Sequence, residues 1–122
     1  MNKVFCENIN DLTVNNNYFR EVLSTTTTMQ LTVMSLNPNE EIGNEIHPYI
    51  SQFIRVEQGH GLLVIDNEEY CELHDDSAII IPPNTLHNII NLSRTKKLKL
   101  YSIYSPPNHP SDRIDVNNPE SD

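Results

Sequence analysis

Residues 43–59 read GNEIHPYISQFIRVEQG. Glu45 and His47 stand two apart, the spacing that puts two side chains on one face of an extended strand. If that face points into a barrel, both reach the same cavity. Gln52 opens the next strand after a short connection and approaches the same point. A second stretch, residues 76–91, reads DSAIIIPPNTLHNIIN. There an apolar strand stops at Pro82-Pro83, and a single histidine, His87, starts the strand that follows.

Working outward, the period is that of strands. Residues 25–36, TTTTMQLTVMSL, are rich in β-branched side chains and read as one strand, closed by the turn Asn37-Pro38-Asn39. Short strands are expected at Glu45 to His47, Gln52 to Glu57, Leu62 to Ile65, Glu69 to Leu73, Ala78 to Ile81, His87 to Asn91 and Leu98 to Tyr104. Asp66-Asn67 is a hairpin signal, and His74-Asp75-Asp76 turns again. Short strands at this spacing, with no amphipathic helix between them, predict an all-β antiparallel sandwich or barrel.

A chain of 122 residues makes one domain. It can bury a core without disulfides or structural metal, which leaves any metal free for chemistry. The expected organisation is an N-terminal arm over 1–17, with a turn or short strand around Val14, a barrel over 18–105, and a Pro/Asp-rich extended tail over 106–122. The formal net charge of −9 repels phosphate backbones and argues against nucleic-acid binding. Arg94, Lys96, Lys97 and Lys99 read as a solvated strand edge. Cys6 and Cys71 form no metal or redox motif, which predicts reduced thiols in a cytosol-like compartment. No secretory leader and no membrane-spanning apolar run are seen, so the expectation is a cytoplasmic protein without a membrane partner.

The two stretches resemble the two motifs of the cupin superfamily. The first of these pairs His-x-His with a later glutamate and then a glycine. Here His47 fits the second histidine, Glu45 stands at the first, Gln52 stands at the glutamate, and Gly59 fits the glycine. In the second motif Pro82, His87 and Asn91 are correctly placed, while Asp76 and Asn84 replace the two glycines. Both of those residues tolerate left-handed backbone. The chain is most similar to a subgroup of small single-domain cupins loosely labelled mannose-6-phosphate isomerase-related. Glu45-Ile46-His47, Gln52-Phe53, Glu57-Gln58-Gly59 and the segment from Tyr104 to Pro110 carry that likeness.

The resemblance implies a jelly-roll, or double-stranded β-helix, barrel holding one divalent metal among Glu45, His47, Gln52 and His87. The usual glutamate is missing at Gln52, but Glu45 supplies the carboxylate. Two imidazoles and one carboxylate keep the site at the same charge and suit Fe, Mn, Ni or Zn. Gln52 is either a direct ligand or a residue bonding a metal-bound water. Glu45 is the candidate catalytic residue, moving protons if it detaches. The function expected is a metal-dependent isomerase- or dioxygenase-type enzyme for a small oxygen-rich molecule such as a sugar or diketone. The alternative is a non-catalytic module that binds a small molecule or metal. A homodimer is expected.

Other residues read more plainly. His60 and His74 lie in turns and are expected to be solvated. His109 either folds over the cavity mouth or belongs to a surface tail. Phe53, Tyr101 and Tyr104 read as core or interface aromatics. Arg55 has the opposite strand parity to Gln52 and so faces out, and Arg20 is a possible anion-binding residue.

Overall fold

The computed structural model describes residues 3–119. Two antiparallel sheets face each other around one core. They are built from a short helix α1 (Ile9–Val14) and strands β1 (Arg20–Thr25), β2 (Gln30–Leu36), β3 (Ser51–Gln58), β4 (Gly61–Ile65), β5 (Glu68–Leu73), β6 (Ala78–Ile81), β7 (His87–Asn91), β8 (Leu98–Ser105) and β9 (Ile114–Asp115). The larger sheet runs β6-β3-β8-β2-β1-β9 and the smaller β5-β4-β7. The strand spacing predicted an all-β antiparallel sandwich or barrel, and the arrangement is the jelly roll that the resemblance implies. The core joins Met34, Ile54 and Leu100 of the first sheet to Leu63, Leu73 and Ile89 of the second. β3 alternates, with Gln52, Ile54 and Val56 buried and Ser51 exposed, so one face is sealed against the other sheet.

The turns are made by the residues that the sequence offers for them. Asp66 and Asn67 both have positive φ, 52° and 67°, as a type I′ hairpin requires. Asp76 (φ 71°) and Asn84 (φ 63°) adopt the left-handed conformation in place of glycine.

Several expectations are corrected. Residues 25–36 are not one strand. Thr26 to Met29 turn the chain, with Thr26 Oγ1 accepting from the N–H groups of Thr28 and Met29 at 3.2 and 3.1 Å. The β1–β2 hairpin results, and β1 itself was not foreseen. Around Val14 there is a helix, not a strand. Asn8 caps it by accepting from Asp11 N–H at 2.9 Å, and Asn10 ties it to Glu57 of β3 at 3.1 Å. Six residues are too few to show an amphipathic period.

Glu45 to His47 is not a continuous strand. Residues 41–47 meet β7 through the isolated bridges Glu41↔Ile90 and Glu45↔His87, and between them Asn88 accepts from Gly43 N–H at 2.8 Å and donates to Glu41 Oε1 at 2.9 Å. Gly43, at φ 101°, breaks the extended run, and Pro48 has no N–H to continue it. Lys99 is not on a solvated edge either. It lies in β8, between β2 and β3, is 5% exposed, and donates to Asn16 O and Asn17 Oδ1. Burial, with Lys97 nearby, lowers its pKa.

The tail, read as extended and outside the core elements, contributes β9. Arg20 and Glu21 pair with Asp115 and Ile114. Fully buried Gln30 also grips it, donating to His109 O at 2.7 Å and accepting from the N–H groups of Asn108 and His109 at 3.1 and 2.8 Å. The expected arm at residues 1–2 and the expected tail at 120–122 lie outside the described residues. Cys6 and Cys71 are free and exposed. No helix of the described residues is long and apolar enough to cross a membrane.

Candidate metal centre

Three of the four residues singled out from the sequence converge. Glu45 and His87 are held opposite each other by a reciprocal pair of backbone hydrogen bonds, each 2.9 Å, which sends both side chains to one side of the bridge. His47 reaches the same point two residues on. Its carbonyl accepts from Asn84 N–H at 2.8 Å, so the left-handed turn at Asn84 also anchors His47. Glu45 Oε1 lies 3.7 Å from His47 Nε2 and 3.9 Å from His87 Nε2, charge contacts too long for hydrogen bonds. The donor atoms of the three residues all lie within 4.8 Å of one another.

The chemistry of the donors fits a cation. His87 Nδ1 is 2.9 Å from Thr85 O, a distance at which only a protonated nitrogen is favourable. The lone pair is thereby left on Nε2, the nitrogen that faces Glu45. His47 Nε2 and His87 Nε2 are both buried and have no hydrogen-bond partner. Gln52 Nε2 donates to Ser102 Oγ at 3.2 Å, and its Oε1 is likewise buried without a partner. Orphaned buried polar atoms are costly, and a cation accepting their lone pairs would remove that cost.

The fourth residue, Gln52, is buried on β3. It pairs with Tyr104 across β3 and β8, and the Tyr104 ring meets His47 edge-on at 6.0 Å. Burial would by itself raise the Glu45 pKa. His47, Arg20 and His87 more than offset it and hold the carboxyl below its ordinary value, so Glu45 is ionised at neutral pH. Its side chain is 26% exposed while that of His87 is 4% exposed, so the group opens to solvent on the Glu45 side.

The surroundings include residues that the sequence reading left aside. Tyr104, read as a core or interface aromatic, is buried with its ring also edge-on to His109 at 5.2 Å. Burial and the Glu45 charge raise its pKa, so it is a neutral phenol. Arg20 is buried, 2.7 Å from Asp115 Oδ2 and 4.0 Å from Glu45 Oε2. Arg113 joins Asp115 at 3.0 Å and donates toward His109 Nδ1 at 3.3 Å. His109 therefore belongs to the layer beside the centre. Arg113 and Asp115 had no sequence signal, because only the pairing of β9 with β1 brings them here. Arg55 faces away, as its parity implies, toward Glu57 and Asp76. His60 and His74, expected to be solvated, stack on each other at a separate place.

Comparison with known proteins agrees with this architecture. The family described as "Cupin domain" matches residues 32–104. The chain is 49% identical over 113 residues to the uncharacterized protein YrkC of Bacillus subtilis strain 168, covering 88% of this chain and 60% of that protein. It thus spans 60% of the length of that relative. It is 43% identical over 122 residues to the uncharacterized protein L612 of Acanthamoeba polyphaga mimivirus, covering 98% of this chain and 76% of that one. The crystal structure of BH2720 from Bacillus halodurans superposes with a TM-score of 0.91 at 44% identity, covering 95% of this chain and 91% of that one.

Proposed function

The chain belongs to the cupin family, and on that premise we propose that it binds one divalent metal at Glu45, His47 and His87 and acts on a small oxygen-rich molecule such as a sugar or diketone. The observation that carries this reading is the pair of buried, partnerless imidazole Nε2 atoms facing one ionised carboxylate. Gln52 completes the set, either with Oε1 as a fourth ligand or by bonding a water, while Ser102 occupies its amide nitrogen. Fe, Mn, Ni and Zn all suit two nitrogens and one or two oxygens. Such an ion supplies Lewis-acid polarisation of a bound oxygen.

The residues around it set the terms of the reaction. Thr85 fixes the His87 tautomer and ring. Arg20 keeps positive charge beside Glu45 and is itself held by Asp115. Glu45 is the group to receive and return a proton from substrate, because it is ionised and its carboxylate is the exposed side of the centre. Proton transfer by Glu45 supports isomerase-type chemistry, and the two-histidine, one-carboxylate set supports dioxygenase-type chemistry. The likeness to mannose-6-phosphate isomerase-related cupins is part of this proposal, carried by the segment from Tyr104 to Pro110. The protein is further proposed to act as a homodimer, checked by light scattering after gel filtration.

Metal analysis of the purified, metal-reconstituted protein tests the reading, with Glu45→Ala and His87→Ala alongside. Wild type retains an ion that both variants lose. Equal, negligible metal in all three refutes the centre. Turnover of sugar phosphates or diketones, with oxygen consumption followed, separates the enzyme from a module that only binds a ligand.

A further inference from the structure

Apart from the Glu45 group, a second set of donors gathers on the outer face of the smaller sheet. β4 and β5 pair Gly61 with Leu73 and Leu62 with Glu72. One step further along that register sets His60 opposite His74, with Glu72 diagonal to His60. Leu73 is 2% exposed and points into the core, so Glu72 and His74 on either side of it point out. The His60 and His74 rings stack with centroids 4.8 Å apart and planes within 10°. His60 Nε2 is 2.6 Å from Glu72 Oε1. One donor atom from each residue lies within 4.8 Å of the other two.

We infer that His60, Glu72 and His74 form a second metal-binding site, specific for a borderline divalent ion such as Zn(II), Ni(II) or Cu(II). Two imidazoles with one carboxylate are the donors such ions select, while Mg(II) and Ca(II) require more oxygen. Ligands of tetrahedral zinc stand about 3.3 Å apart. The stacked rings must turn out of parallel for their lone pairs to converge on one ion, and His60 and Glu72, with side chains 43% and 60% exposed, have the room to rotate.

The backbones beneath them are fixed. Gly59 N–H donates to Asp75 Oδ1 at 2.8 Å, His74 N–H donates to Ser77 Oγ at 2.8 Å, and His60 O accepts from Leu92 N–H at 3.0 Å. Three protein donors leave a position for water or for a group from outside. A bound ion would also tie the β3–β4 connection to the β5–β6 connection.

Titration of the tag-free, chelator-stripped full chain with Zn2+ by calorimetry tests the site. Wild type is compared with a His60→Ala, His74→Ala double variant and with Glu72→Gln. All three side chains changed lie on the outer face of the sheet, and melting in chelator confirms that each variant is folded. The expected result is that wild type takes up one more equivalent than the double variant, and that Glu72→Gln keeps this equivalent at least about tenfold more weakly. In the imidazole NMR spectrum, the His60 and His74 resonances shift together as this equivalent binds. Equal stoichiometry in wild type and the double variant overturns the inference. The outcome is separable from the Glu45 centre. If that centre alone fails, the double variant binds none and wild type still binds one.

Discussion

Replacing Glu45 with glutamine removes the one negative charge of the inner donor set and almost nothing else. The amide keeps the shape. Arg20 loses a contact at 4.0 Å but keeps Asp115 at 2.7 Å. Glu45 is partly exposed, so the apo protein should change by no more than about 1 kcal/mol. Metal-linked stability behaves differently. In the proposed centre an ion would satisfy His47 Nε2 and His87 Nε2, buried atoms without partners. At a free metal concentration 100 times its dissociation constant, binding stabilises the fold by about 2.7 kcal/mol. For a domain of this length that raises Tm by roughly 10 °C. Loss of the carboxylate should weaken the ion by about 100-fold, the upper end of the loss from disturbing even an outer partner of a metal ligand. At the same metal concentration the stabilisation then falls to about 0.4 kcal/mol, or roughly 1–2 °C. The assay is thermal melting with and without metal, in a background carrying His60→Ala and His74→Ala so that only the inner group responds. A Glu45→Gln protein that keeps the full metal-induced rise refutes the reasoning, as does a parent protein that shows no rise.

Two further outcomes follow from the tail. Gln30→Leu leaves the backbone groups of Asn108 and His109 without the buried amide that pairs with them. It should cost about 2–4 kcal/mol and expose residues 106–119 to limited proteolysis, and unchanged melting together with unchanged cleavage would contradict the role assigned to Gln30. Burial, with Arg20 and Arg113 nearby, pushes His109 down from 6.5 to about 4. Between those values the unfolded chain binds a proton that the folded one does not, so this contribution is complete above about pH 6.5 and is lost as pH falls toward 4. The His109 ring resonances should stay constant from neutral pH down to about pH 5, His109→Asn should flatten stability over the same window, and titration near the ordinary histidine value would contradict the assignment.

Much of this molecule is local in origin and therefore legible in one dimension. Asp66-Asn67 specify their hairpin because short polar side chains accept positive φ, and Asp76 and Asn84 do the work of glycine for the same reason. The alternation in β3 places Gln52 inside and Arg55 outside before any fold is known. Parity also brings Glu45 and His47 to one point, although the segment forms only a single bridge instead of a strand. Parity needs an extended backbone, not a ladder of hydrogen bonds. Local pattern failed where a side chain decides a turn, as Thr26 does between β1 and β2, or where a helix is too short for periodicity, as with α1.

The sequence by itself determined the class of the fold, the turns at Asp66-Asn67, Asp76 and Asn84, and the candidates for the inner donor set, since each depends on residue type and spacing of a few positions. Only the tertiary structure decided what surrounds that set. Lys99 is buried because β8 is central in its sheet, Arg113 and Asp115 reach the centre because β9 pairs with β1, and His60 meets His74 because two turns close on the same register. These are contacts between residues far apart in sequence, and neither propensity nor periodicity carries information across that distance.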